Sequence, residues 1–166
     1  FQITFVPPMG TNGLESGKIT NNISINVLAG YNGGTDGVEL SGFLALDKQN
    51  VKGAQLSGFG NIVGGNTKGV QAAGFFNTVQ KQAEGGQLAG FFNYAESLKG
   101  AQFSGFTNVT TKNFNGAQFA GFNNVAITKS KGLQASGFVN VSVDSIEGSQ
   151  VAGYVNYAKQ IQGAQV

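Results

Sequence analysis

The sequence predicts an all-β protein, specifically a β-solenoid: a parallel β-helix-like stack of 15- to 16-residue coils. A nine-residue phrase, Gly-x-Gln-x-[Ser/Ala]-Gly-[Phe/Tyr]-x-Asn, occurs seven times between Gly53 and Asn156, with starts 16 residues apart, or 15 in two units. Such a short fixed period is typical of solenoids, in which each unit buries its apolar face only against its neighbours. Two glycines per phrase argue against a helix, and period-2 runs such as residues 101–104 favour strands.

Three columns of side chains appear when the phrases are aligned. The glutamine column is Gln55, Gln71, Gln87, Gln102, Gln118, Gln134 and Gln150. The aromatic column is Phe59, Phe75, Phe91, Phe106, Phe122, Phe138 and Tyr154. The asparagine column is Asn61, Asn77, Asn93, Asn108, Asn124, Asn140 and Asn156. In parallel strands at ~4.8 Å, each amide can pair with its copies in adjacent coils, and the rings can stack.

Two alternatives remain open for the direction in which the aromatic column points. Strict alternation places Gln55, Ser57, Phe59 and Asn61 on one face and Leu56 on the other. A corner at residues 57–58 instead points Leu56, Phe59 and Asn61 inward. We prefer the corner, because aligned aromatic rings in water would form an unusually large apolar stripe. If the rings are exposed, the stripe itself is a binding surface.

The chain divides into a non-repeating start and a repeat region. Residues 1–36 contain strand-like runs and are expected to act as an N-terminal cap. Residues 37–166 form the repeat solenoid of about eight units, the last incomplete. The first unit is degenerate, since Glu39 replaces glutamine and Ala45 replaces asparagine. Val166 lies four residues into a ninth unit, so we expect the natural chain to continue or another element to cover this edge.

Composition argues against catalysis. The chain has no Cys, His or Trp, which removes the usual nucleophiles, acid–base groups and soft-metal ligands. The carboxylates Glu84 and Glu96 lie in the variable part of the unit, where charged residues usually face solvent. We therefore predict no catalytic, cofactor-binding or metal-binding residues and no enzymatic activity. The net charge of +2 comes from scattered lysines, so no nucleic-acid partner is predicted.

A family resemblance accompanies this pattern. The phrases at residues 69–77 and 116–124, and the leader segments at residues 7–13 and 21–31, resemble the surface-repeat proteins of Bacteroidota and Leptospira. The resemblance implies an exported protein at the bacterial cell surface or outer membrane, with no catalytic residues to transfer. A weaker similarity is to curli-type solenoid subunits, which also stack Gln and Asn in short coils and which suggest self-assembly.

The function predicted on this basis is a non-enzymatic structural or adhesive repeat segment that acts as a scaffold. Its partners would be other surface or outer-membrane proteins, or further copies of itself, and any membrane association would come through partners or segments outside this sequence. One alternative is a carbohydrate- or protein-binding module that uses an exposed aromatic stripe. A second alternative makes the repeats hairpins of an antiparallel outer-membrane-type β-sheet.

Overall fold

A computed structural model describes all residues from Phe1 to Val166. It is a parallel β-solenoid of about 9 coils of about 16 residues, which confirms the predicted fold class. One short 3-10 helix, Gly13–Lys18, lies between the second and third strands. The strands are β1 (Gln2–Val6), β2 (Met9–Gly10), β3 (Thr20–Asn26), β4 (Ala29–Asn32), β5 (Gly34–Ser41), β6 (Leu44–Asp47), β7 (Val51–Ser57), β8 (Gly60–Val63), β9 (Thr67–Ala73), β10 (Phe76–Ala89), β11 (Phe92–Ser104), β12 (Thr107–Thr110), β13 (Phe114–Ala120), β14 (Asn123–Ala126), β15 (Ser130–Ser136), β16 (Val139–Ala152) and β17 (Val155–Gln165).

Each coil has two sides joined by a glycine corner. In the coil formed by β7 and β8, the longer strand carries Gln55 and the shorter strand carries Asn61. Strands pair with their equivalents in the next coil, so that Gln55 lies beside Gln71 and Asn61 beside Asn77. All pairings between coils are parallel, and only β1 and β2 pair antiparallel. The alternative of antiparallel hairpins is therefore wrong, because the second side of each unit carries the chain back to start the next coil in the same direction.

Two units have 15 residues instead of 16, and each lacks one residue in the part of the coil that lies outside the nine-residue phrase. The register between β10 and β11 shifts between Val79 and Gln82, and that between β16 and β17 shifts between Ser142 and Ser145. Both shifts lie among the residues between successive phrases, which we call the variable arc. This arc carries most of the charged residues. Length changes are tolerated there because the residues at the shift, such as Gln80 and Lys81, are exposed, whereas the flanking Val79 and Ala83 keep their places in the interior.

The parallel ladder also runs through the first 36 residues. Strand β3 pairs with β5, β4 pairs with β6, and β1 pairs with β3, all in parallel. The pair Ile25 and Leu40 continues the apolar column that follows the glutamines. Surface features of the repeats therefore extend into the non-repeating segment.

The interior is thin. Four side chains per coil point inward: the glutamine, the asparagine and two mostly small or apolar residues, such as Val63 and Thr67 in one coil. The apolar part of this core is a cluster of Val51, Val63, Val79, Ala83, Ala95, Leu98, Phe114 and Ala126. No helix has the length and apolar character needed to cross a membrane.

Candidate functional site

The glutamine column forms a continuous hydrogen-bonded ladder inside the solenoid. Each glutamine Nε2 donates to the Oε1 of the glutamine one coil closer to the N-terminus, for example Gln87 to Gln71 over 3.0 Å and Gln102 to Gln87 over 2.7 Å. These amides are fully buried. Burial of an amide is costly unless it is hydrogen-bonded, and the ladder gives each amide a partner. The amide pairing expected from the columns is thus present.

The asparagine ladder has the opposite polarity. Each Asn Nδ2 donates to the Oδ1 of the asparagine one coil closer to the C-terminus, as in Asn77 to Asn93 over 2.9 Å. The same nitrogen donates to a backbone carbonyl on the other side of the next coil, as from Asn77 to Leu88 over 2.7 Å. Each asparagine therefore links the two sides of the solenoid, and the two ladders place their amide dipoles antiparallel.

Glu39 ends the glutamine ladder because it accepts from both directions. Its Oε2 accepts from Gln55 Nε2 at 3.0 Å. Its Oε1 accepts from Asn32 Nδ2 at 2.8 Å and from Asn26 Nδ2 at 3.0 Å. A glutamine at this position would have one acceptor oxygen, and its amide group would face other donors. The departure from the repeat in the degenerate unit is thus required by donor–acceptor matching.

Asp47 lies beside Glu39 in the same coil. Both carboxylates accept from Gln55 Nε2, which is 2.6 Å from Asp47 Oδ2, and Thr35 Oγ1 donates to Asp47 Oδ1 over 3.1 Å. Burial, followed by the charge of Glu39 and a hydrogen bond with Glu39, raises the pKa of Asp47 to about 9. The Asp47 carboxyl is therefore held as a neutral acid at pH 7.

The aromatic column points outward, so the preferred inward orientation is wrong for Leu56 and Phe59. Leu56 is exposed, Phe59 is half-buried on the outer surface, and Asn61 points inward as expected. Strict alternation is also wrong, because it puts Phe59 on the same face as Gln55. The chain turns at Gly58, which resets the alternation and directs the ring outward, and the two amide ladders fill the part of the interior next to this corner.

The rings of the aromatic column stack on one another along the solenoid, and this stacking covers their faces without burial in a core. Neighbouring rings from Phe43 to Tyr154 have centroids 4.7–5.2 Å apart and planes within 10° of parallel. Each internal ring has both faces covered by its neighbours, and the side chains of Phe91 and Phe106 remain about 40% exposed through their edges. The column is therefore a continuous apolar ridge of ring edges.

This geometry predicts a moderate cost of removing one ring. Phe91→Ala or Phe106→Ala should lower the free energy of unfolding by about 1–3 kcal/mol, because each deletion removes two stacking contacts and a partly buried ring. The fully buried Phe114 is the matched control, and Phe114→Ala should cost about 3–5 kcal/mol. Urea denaturation followed by circular dichroism measures both. Equal costs for Phe106→Ala and Phe114→Ala would contradict the outward orientation.

Beside the ridge runs a groove of about 1120 Å³. It is lined by three columns of the phrase: the residue after Gln, the following Ser or Ala, and the corner glycine. The first of these, which we call the outer apolar column, consists of Ile25, Leu40, Leu56, Ala72, Leu88, Phe103, Phe119, Ala135 and Val151. No charged side chain lines the groove. We define the apolar strip as this groove together with the aromatic column and the uncharged column directly before Gln, which includes Ala54, Val70, Gly86 and Ala101.

The ionisable groups of the variable arc lie apart from this strip. Glu84 lies 3.8 Å from both Lys68 and Lys99, and Glu96 lies 2.5 Å from Lys112. These lysines are well exposed, so the pairs contribute little to stability. No three acidic side chains come together in a group that could hold a metal ion.

No family model, curated protein or solved structure matches the chain.

Sequence analysis missed the groove and the buried acid pair. A signal for the groove was present, since an apolar column directly after a buried glutamine must face outward in a strand. The signal for the acid pair was the replacement of glutamine by Glu39 in a unit that also carries Asp47, at a position where other units have Val63 or Val79. Neither signal involves a recognised motif.

Proposed function

We propose that this chain is a non-enzymatic interaction scaffold whose apolar strip binds the apolar surface of a partner protein. The observation that carries the proposal is the continuity of the strip, which runs uncharged through nine coils. At ~4.8 Å per coil the strip is about 38 Å long. Five residue steps at ~3.3 Å, from the residue before Gln to the aromatic residue, make its face about 17 Å wide. Exposed apolar patches larger than a few hundred Å² mark interaction sites on soluble proteins.

The ring geometry favours a protein partner over a carbohydrate. Sugars stack on the free faces of aromatic rings, whereas here neighbouring rings cover those faces at 4.7–5.2 Å. Ring edges and aliphatic side chains such as Leu88 instead present a long, shallow apolar surface. Such a surface suits the side chains of another protein, which can pack against it over its whole length.

The sequence pattern supports the non-enzymatic part of the proposal. The recurring side chains are amides that bind each other and apolar groups that line the strip. Neither class supplies a nucleophile or a general base. The resemblance to bacterial surface repeats supports export and a place at the cell surface or outer membrane, where the partners would be surface proteins or further copies of the chain.

Titration with the uncharged apolar dye Nile red tests the strip as a binding surface. The wild-type chain should bind the dye, and the double variant Leu88→Lys/Phe103→Lys should bind it about tenfold more weakly, since two charges then lie in the groove and about 1.4 kcal/mol corresponds to tenfold. Titrations at several protein concentrations, taken to dye saturation, account for any self-association that covers the strip.

The control is Val143→Lys, which introduces one lysine at an exposed apolar residue outside the groove. Val143 is 47% exposed and Leu88 is 44% exposed, so the two sites are matched in accessibility. The control should bind the dye as the wild type does. Equal dye binding by the wild type and by a correctly folded double variant would disprove the proposed function.

A further inference from the structure

We propose that the partner of the apolar strip is a second copy of this chain, packed face to face with its solenoid axis antiparallel to the first. The inference rests on the proposed function and names the occupant of the same surface. Two sheets can pack face to face at a separation of about 10 Å. A second copy has the same coil spacing of ~4.8 Å, so its ridges and gaps match those of the first along the whole strip.

The area of the strip fits a stable dimer. A footprint of about 38 by 17 Å covers roughly 650 Å² per copy, and two copies together would bury about 1300 Å². Specific interfaces bury about 1200–2000 Å² in total. The charged column that includes Lys68, Glu84 and Lys99 borders the strip, and would give the interface a polar rim around an apolar centre.

The sizes of the residues in the outer apolar column are complementary only in the antiparallel arrangement. A two-fold axis along the strand direction at the fifth of the nine coils places Leu88 opposite its own copy. Large residues then face small ones, or a phenylalanine faces a leucine, in the pairs Ala72 with Phe103, Leu40 with Ala135, and Leu56 with Phe119.

A same-direction alignment would be less favourable. It would put each residue opposite its own copy, which leaves a gap at Ala72 and at Ala135 and crowds the two copies of Phe103. Both gaps and overpacking weaken an interface. The antiparallel contact is isologous and closes as a dimer, without growing into a filament.

Light scattering after size-exclusion chromatography, over a range of protein concentrations, tests the dimer. The wild type and Val143→Lys should reach twice the chain mass of 17.1 kDa. Leu88→Lys/Phe103→Lys should stay at the chain mass, with an unchanged circular dichroism spectrum. A wild type that stays monomeric while it still binds the dye through the strip would overturn the second copy as partner but leave the proposed function standing.

Single-cysteine cross-linking tests the arrangement, because the chain has no cysteine of its own. With a short bis-maleimide, Leu88→Cys should give a cross-linked dimer and Val151→Cys should not, since only Leu88 lies at the axis. A mixture of Leu40→Cys and Ala135→Cys should cross-link between the two variants. Cross-linking of Val151→Cys as efficient as that of Leu88→Cys, or a mass that grows beyond two chains in the strip variant, would overturn the antiparallel dimer.

Discussion

Gly85→Ala is expected to destabilise the solenoid strongly, whereas Gly86→Ala should leave it folded and slightly more stable. Gly85 has φ of 122°, a region that residues with a Cβ rarely adopt. An added Cβ would also overlap the carbonyl oxygen of Gly69 in the preceding coil. Neither strain can relax, because the overlapping atom belongs to the stacked backbone. We expect a loss of about 3 kcal/mol or more in the free energy of unfolding.

Gly86 is the adjacent control with open space around it. A Cβ there would approach Leu88 Cδ1 at 3.8 Å and Val70 Cγ2 at 3.9 Å, which are ordinary van der Waals contacts. Alanine restricts the unfolded chain, so Gly86→Ala should gain about 0.4–1 kcal/mol. Thermal denaturation of the two purified variants measures the difference. A wild-type melting temperature for Gly85→Ala would contradict the close stacking of the first glycine of each phrase on its copy in the preceding coil.

Asp47→Asn should remove a pH dependence that the wild type shows between about pH 4 and pH 9. Burial and the neighbouring Glu39 together raise the pKa of Asp47 from 3.8 to about 9 in the folded chain. The folded state therefore binds a proton that the unfolded state has lost, and its stability falls as pH rises across this window. The slope is at most about 1.4 kcal/mol per pH unit. Above about pH 9 both states have lost the proton, and the loss is complete.

Asparagine can keep the hydrogen bonds with Gln55 and Glu39 without titrating. Its oxygen can accept from Gln55, and its amide can donate to Glu39, as the protonated Asp47 does. The variant should thus match the wild type near pH 4 and exceed it in stability by several kcal/mol near pH 8. Urea midpoints measured for both proteins across this pH range give the difference in their stability. Contributions from exposed carboxylates are the same in both proteins and cancel in this difference. Parallel pH profiles for the two proteins would rule out Asp47 as the source.

The sequence was sufficient to predict the coil and its columns. A strict period with Gln, Phe and Asn at fixed places requires equivalent residues to stack, and parallel strands are the arrangement that allows amides such as Gln87 and Gln102 to pair coil after coil. The position of the deletions was predictable for the same reason, since a shift within the phrase would break both ladders.

The direction of Phe59 was not predictable from alternation alone. Gly58 turns the chain between Leu56 and Phe59, and the turn resets which side faces inward. The expectation that rings avoid water was overridden by two local facts: the amides of Gln55 and Asn61 fill a narrow interior, and stacking on Phe43 and Phe75 covers the ring faces without a core.

The buried pair of Glu39 and Asp47 could not be predicted from the sequence, for a different reason. Glu39 is an isolated exception in the glutamine column, and its meaning depends on the direction in which each amide donates. That direction is a property of the assembled ladders, with donors arriving from Asn32 on one side and Gln55 on the other. A single sequence shows the substitution but not the polarity that requires it.

We propose that this chain binds its partner through the apolar strip and through no other surface. Carbene footprinting with mass spectrometry, on dilute and concentrated protein, shows which side chains become covered when the chains associate. Labelling of Leu88, Phe103 and Phe119 should fall with concentration while labelling of Val143 stays constant. Constant labelling of the strip at all concentrations, or protection confined to β17, would contradict it.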